Sequence, residues 1–136
     1  MIHAVIDTNV LVSAFITKNP DSPTAKVWSA LLNYDIIPIY SEEIIDEYRD
    51  VLHRKKFDIP EQLINDALNH ILINGVRGER VLSDDFFPDP KDVVFYEVAL
   101  SKDDAYLVTG NTKHFPKKPI VVTPAEMLEI LKAANK

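Results

Sequence analysis

Short apolar runs alternate along the chain with longer stretches in which apolar residues recur at helical spacing. The run over 2–6 is too short for a helix, is rich in Ile and Val, and is apolar on both faces. That predicts a strand buried inside a parallel sheet. Val10, Leu11, Ala14 and Phe15 then predict a helix over 8–16. A turn-rich loop at 19–23 precedes a helix capped by Thr24, which carries Val27, Trp28, Leu31 and Leu32 and ends near Asn33. Residues 36–40 read as the second strand, with Pro38 pointing to an irregular or edge position. Ser41 is a good N-cap, Glu42 and Glu43 suit the first turn, and that helix runs to about Lys55. Pro60 opens another helix, with Leu63, Ile64, Ala67, Leu68, Ile71 and Leu72 on one side and Gly75 as its stop.

The second half repeats the alternation. Arg80-Val81-Leu82 reads as a short strand, and 83–92 as a loop. Residues 93–100 are apolar nearly all round and predict a helix packed on several sides. Strands are expected at 106–109 and 120–122, separated by a polar loop at 110–119. Thr123-Pro124-Ala125-Glu126 is a capping box with proline at the first helical position, opening the last helix. Strands alternating with helices imply an α/β chain: a three-layer α/β/α sandwich around a mainly parallel sheet, in one domain over 1–136.

Composition narrows the chemistry. The 136 residues are 46% hydrophobic, enough for a core without staples, and none is cysteine, which removes disulfides, thiolate metal sites and a Cys nucleophile. No run approaches the ~18 apolar residues of a membrane span, and the N-terminus enters a strand directly, so a cytoplasmic protein is expected. The formal net charge of −6 argues against a general electrostatic nucleic-acid binder, but not against an enzyme with an acidic, metal-filled site.

The carboxylates carry the functional question. Asp7 ends the first strand, at the edge where open α/β sheets place ligands; the competing reading is an N-cap for the next helix. On the wheel of the helix from Ser41, Ile44, Ile45, Tyr48, Val51 and Leu52 form one apolar arc. Glu47 falls on its border, so it either flanks the arc in solvent or points along the sheet toward the strand ends. Asp92, at the start of the helix 93–100, has the same two readings as Asp7. Asp89 competes with it, although Pro90 restricts Asp89 to an extended conformation. Asp84 and Asp85 suit loop solvation, and Asp104 precedes its strand and so belongs to the opposite edge. Thr109-Gly110-Asn111 leaves the sheet at the same edge as Asp7. Two carboxylates ~4 Å apart repel by about 4 kcal/mol at an effective dielectric of 20, so such a cluster takes up protons or a cation. Oxygen ligands without cysteine or paired histidines suit Mg²⁺ or Mn²⁺, ions that handle phosphate oxygens.

Other signals are weaker. His53-Arg54-Lys55-Lys56 is placed as for a favourable charge–dipole contact at a helix end. Lys113, His114, Lys117 and Lys118 follow Asn111 at the site edge and are candidates for an RNA backbone contact, or simply solvated. Phe115 suits packing of that loop, and His3 and His70 suit structural roles.

Taken together, Ile6-Asp7-Thr8-Asn9-Val10-Leu11-Val12-Ser13-Ala14, Ser41-Glu42-Glu43-Ile44-Ile45-Asp46-Glu47-Tyr48, Asp89-Pro90-Lys91-Asp92 and Leu107-Val108-Thr109-Gly110-Asn111 resemble the PIN domain. The closer resemblance is to its branch of toxin components of toxin–antitoxin systems. It implies a PIN-like sandwich and a Mg²⁺- or Mn²⁺-dependent ribonuclease, with metal on Asp7, Glu47 and Asp92 and with Asn111 where a fourth acid often sits. Thr8, Asn9, Ser41 and Thr109 are the supporting polar positions of those motifs. It further implies an RNA substrate, a cognate antitoxin and a homodimer. An Asn at 111 keeps a ligating carbonyl but drops one charge, which lowers the expected metal affinity. Two alternatives stand beside this one: a catalytically weakened RNA- or protein-binding module, and a haloacid-dehalogenase-like phosphatase, whose second Asp is here Asn9.

Overall fold

A computed structural model describes residues 1–135. Its centre is a five-stranded sheet in the order β3-β2-β1-β4-β5, made of β1 (Ile2–Ile6), β2 (Ile36–Tyr40), β3 (Val76–Arg77), β4 (Tyr106–Val108) and β5 (Val121–Val122). Every pairing is parallel. Around it lie α1 (Thr8–Ile16), α2 (Pro23–Leu32), α3 (Glu42–Leu52), α4 (Glu61–Asn74), α5 (Val93–Ala99) and α6 (Pro124–Ala134). Parallel strands need helical crossovers, which cover both faces and produce the α/β/α sandwich. Ala4, Val5 and Ile6 of β1 and Leu107 and Val108 of β4 are correspondingly buried. No helix among the described residues is long and apolar enough to cross a membrane.

The order of strands sets the site. The chain steps from β1 to β2 to β3 on one side of β1, then returns to place β4 and β5 on the other. The direction of winding therefore reverses between β1 and β4, and the crevice beyond their carboxyl ends is the switch point where such sheets bind ligands. Asp7 follows β1 and Thr109 follows β4, locked side by side by the Asp7 N–H bond to the Val108 carbonyl at 2.9 Å.

Several elements differ from the sequence reading. Pro38 lies in an internal strand, between β1 and β3. Pairing with β3 begins only at Ile39, so the stretch holding Pro38 has β1 alone as a ladder partner. The third strand is Val76–Arg77, immediately after α4, and residues 80–82 form no strand. Arg80 is instead drawn to a buried charge, Glu97, described below. Ser22, not Thr24, caps α2: its hydroxyl accepts the Ala25 N–H at 3.3 Å, with Pro23 as the first helical residue. Helix α3 stops at Leu52, and Lys55–Phe57 forms a separate 3₁₀ turn. The Ser41 cap and the Thr123–Glu126 capping box are present as expected.

Gly75 stops α4 for a reason of space, since its φ of −85° suits any residue. A Cβ there would lie 2.4 Å from the Ile71 carbonyl oxygen and 2.7 Å from that of Pro38, both backbone atoms. Gly75→Ala should therefore force α4 away from β2 and cost about 1–3 kcal/mol, the usual range for overpacking. The denaturant midpoint followed by circular dichroism checks this; an unchanged midpoint would contradict the close approach.

Candidate active site

Asp7 is the most buried acid at the strand ends, with 6% of its surface exposed. It occupies the N-cap position of α1 but makes no side-chain capping bond. Its Oδ2 instead accepts the Thr109 hydroxyl at 2.8 Å, across 102 residues of sequence. The same Thr109 oxygen accepts the Asn111 N–H at 3.0 Å, so its proton is committed to Asp7. Asn9 Oδ1 accepts the Gly110 N–H at 3.5 Å, a second tie between the two turns. Burial pushes the Asp7 carboxyl up to about 6. The Thr109 bond opposes the shift, while the charges of Asp92 and, more weakly, Glu47 add to it.

Tyr48 brings Glu47 to the same rim. Fully buried on the apolar arc of α3, Tyr48 donates its hydroxyl to the Ile6 carbonyl, at the last residue of β1. A buried phenol needs such a partner. Its neighbour Glu47, half-buried, then faces the cleft beyond β1. Burial and the nearby Asp7 charge raise the Tyr48 hydroxyl above its ordinary value, so it stays a donor.

Asp92 comes from the 3₁₀ turn Pro90–Asp92 at the head of α5. It too makes no capping bond to α5. Asp89 serves the turn, accepting the Lys91 N–H at 3.0 Å. Asp92 Oδ2 lies 3.3 Å from His114 Nδ1, yet it is buried without a partner in hydrogen-bond geometry. Its carboxyl is raised by burial and by Asp89, against the opposing pull of His114.

Asp7, Glu47 and Asp92 line one cleft of about 440 Å³, together with Thr8, Asn9 and His114. Among the described residues, no three carboxylate or imidazole groups are gathered tightly enough to cage an ion by themselves. The donors are nevertheless all of the hard, oxygen kind apart from His114. Among the described residues, two buried oxygens, Asp92 Oδ2 and Thr8 Oγ1, also lack hydrogen-bond partners. Such a set fits a cation held by few protein oxygens and keeping most of its water, as Mg²⁺ does.

Other positions singled out from the sequence fall elsewhere. The Asn111 side chain is exposed and is not part of the cleft wall; its backbone N–H is what reaches Thr109. Ser41 caps α3, its hydroxyl accepting the Ile44 N–H at 3.3 Å. Lys113, Lys117 and Lys118 line a separate depression with Phe115, Val121 and Glu126. Phe115 is buried against Phe87, their rings 6.1 Å apart. His70 bonds the Leu31 carbonyl at 3.1 Å.

The sequence reading missed two features. Arg54, read as a dipole contact, stands on the cleft wall, as does Phe57. Glu97, inside a helix read as apolar all round, is 2% exposed. It accepts Arg80 Nε and the Ser83 N–H, both at 2.8 Å, and so anchors the loop leading to Asp92. A lone acid in an apolar helix, after an arginine in the preceding loop, is the signal for such a pair.

Fold and site together define a parallel α/β/α domain with a carboxylate-walled cleft at the sheet's switch point. A family model for the PIN domain matches residues 3–113, and the chain belongs to that family. Proteins of this family are generally nucleases and typically use divalent metals. No curated protein and no solved structure matches the chain.

The buried Asp7 gives stability a sign. Its folded-state pKa of about 6 exceeds the ordinary 3.8, so folding favours the protonated form. That contribution is fully present below pH 3.8 and is lost as pH rises through about 6. In chelator, Asp7→Asn should leave the protein more stable than wild type at pH 7.5, by up to about 3 kcal/mol, with the gap closing toward pH 4. Urea midpoints of the two proteins across pH check this; parallel curves would contradict it.

Proposed function

We propose that the protein is a metal-dependent endoribonuclease whose cleft acids Asp7, Glu47 and Asp92 hold Mg²⁺ or Mn²⁺. The observation that supports this most is the buried Asp7 carboxyl, raised by burial and by both other acids at the switch point of a PIN-family sheet. When bound, the ion polarises the RNA phosphodiester and makes an attacking water more acidic.

The chain's own groups supply position. Thr109 holds Asp7 Oδ2 through a bond whose proton is fixed by the Asn111 N–H. Tyr48 fixes α3 on the end of β1 and so keeps Glu47 at the rim. His114, with Nδ1 3.3 Å from Asp92 Oδ2, offers an imidazole at the cleft. Asn111 acts in this scheme through the turn it closes. Thr8 and Asn9 line the cleft floor next to Asp7. A phosphatase reading is disfavoured because Asn9, at the position where that chemistry needs an acid, accepts the Gly110 N–H. The resemblance to toxin components adds a cognate antitoxin, a homodimer and a cytoplasmic location to the proposal.

Purified protein with Mn²⁺ should cleave single-stranded RNA. Asp7→Asn, Glu47→Gln and Asp92→Asn should each reduce cleavage to background, and Thr109→Val should cost roughly 10–100-fold, as loss of a ligand-orienting bond does. Gel analysis of labelled RNA checks this. Cleavage that survives Asp7→Asn or excess chelator would contradict the proposal, and metal binding without cleavage would favour a binding module.

A further inference from the structure

Glu97 is a buried charge that the hydrolysis scheme leaves unused. It lies within α5 with 2% of its surface exposed. Its Oε1 accepts Arg80 Nε at 2.8 Å, and Arg80 Nη2 lies 2.7 Å from the same oxygen. Its Oε2 accepts the Ser83 N–H at 2.8 Å. Two nitrogens of one guanidinium edge face Glu97, which fixes the plane of that rigid group. The remaining nitrogen, Arg80 Nη1, donates to Glu43 Oε2 at 3.3 Å. Arg80 therefore bridges two helices, α5 through Glu97 and α3 through Glu43.

The backbone that carries Arg80 is tied down on both sides of it. The Gly78 N–H donates to the Tyr40 carbonyl at 2.8 Å, and the Val81 N–H to the Glu97 carbonyl at 3.0 Å. Gly78 is closely hemmed in: a Cβ there would lie 2.7 Å from Ser101 Oγ and 2.8 Å from Ile39 Cγ2. Residues 78–83 thus form a strap from the end of β2 across α5.

The bridge matters through what the two helices carry. Glu43 lies one turn before Glu47 on the same side of α3. Glu97 lies less than two turns after Asp92, the residue at the head of α5. The two helices also meet through Tyr48 and Phe95, with ring centroids 6.3 Å apart. Apolar contact is non-directional, whereas charge-assisted hydrogen bonds fix distance and angle. A buried ion pair often gains no stability over apolar side chains of similar volume, so stability alone is a weak account of this one.

We propose that Arg80, locked by Glu97, is a positioning residue: it sets the spacing of α3 and α5, and with it the separation of Glu47 and Asp92 across the cleft. Its consequence for metal rests on the reading of those acids as a cation site, but the spacing itself needs no metal.

Arg80→Met combined with Glu97→Leu removes the bridge at constant net charge and keeps both volumes filled. In the full chain this double variant should keep the wild-type thermal midpoint in chelator. Isothermal titration should show its Mn²⁺ affinity lowered roughly threefold to thirtyfold, the range of coupling through a packed network. Arg80→Lys, which keeps the charge but not the planar set of donors, should lower it too. Arg77→Gln is the control. It breaks the neighbouring exposed pair with Glu42 on α3, at 2.8 Å, and should leave the affinity unchanged.

The spacing is read without metal. The chain has no cysteine, so nitroxides on Asp46→Cys and Lys91→Cys, both exposed positions, report the distance from α3 to the Asp92 turn by pulsed electron resonance. The double variant should shift or broaden that distance. An unchanged distance would overturn the assignment, and so would a double variant that binds Mn²⁺ as tightly as a wild type that binds it. If wild type binds no Mn²⁺ but the distance responds, the cation reading falls and the spacing role stands. Should the double variant not fold, Arg80→Lys carries both measurements with the same expected directions.

Discussion

A carboxylate buried at the end of the central strand is the constraint on which the rest of this structure turns. Asp7 is almost removed from water yet has one side-chain hydrogen bond, from Thr109, to set against the cost of its charge. Burying an ion without full compensation is unfavourable, and the group responds by taking a proton or a counter-charge. A chain that keeps an acid there, where an apolar residue would continue the core formed by Val5 and Ile6, sacrifices stability at neutral pH. Stored cost of this kind is characteristic of sites rather than of cores.

The surrounding elements act to hold that acid and bring others to it. The reversal of winding between β1 and β4 opens the crevice. Thr109 closes it at one side, and the Tyr48 hydroxyl pins α3 to the last carbonyl of β1. Asp92 arrives at the end of a long irregular loop, a poor support for a precisely placed group. The loop gains rigidity from Glu97, which engages Arg80 and the Ser83 backbone, while Arg80 also reaches Glu43 at the start of α3 at 3.3 Å.

Much of this was legible in the chain. The apolar run of β1, the Ser41 cap and the capping box at Thr123 each encode their elements locally, and the parallel sheet follows from their alternation. Asp7 and Asp92 stand out in the sequence, but the pattern alone does not separate a cap from a site residue. In the fold, neither carboxylate makes a side-chain capping bond to its helix, which weakens the cap reading for both. Pro38 is misleading because the limit on its ladder is set by where β3 begins, 38 residues further on, and Val76–Arg77 is too short a strand to leave a pattern. Arg54 resembles a helix-end charge in the sequence because its relation to the cleft depends on α1, a contact with no local signature. Asn111 shows the opposite case: the position matters for the turn through its backbone N–H, which any residue but proline supplies.

The central claim is that Asp7, Glu47 and Asp92 act as one cation site. Isothermal titration of Mn²⁺ into the wild-type protein and into the three single amide variants tests it most directly. The account predicts saturable binding in wild type that Asp7→Asn, Glu47→Gln and Asp92→Asn each weaken strongly. Mn²⁺ binding that is indifferent to all three, or no binding at millimolar ion, would contradict it.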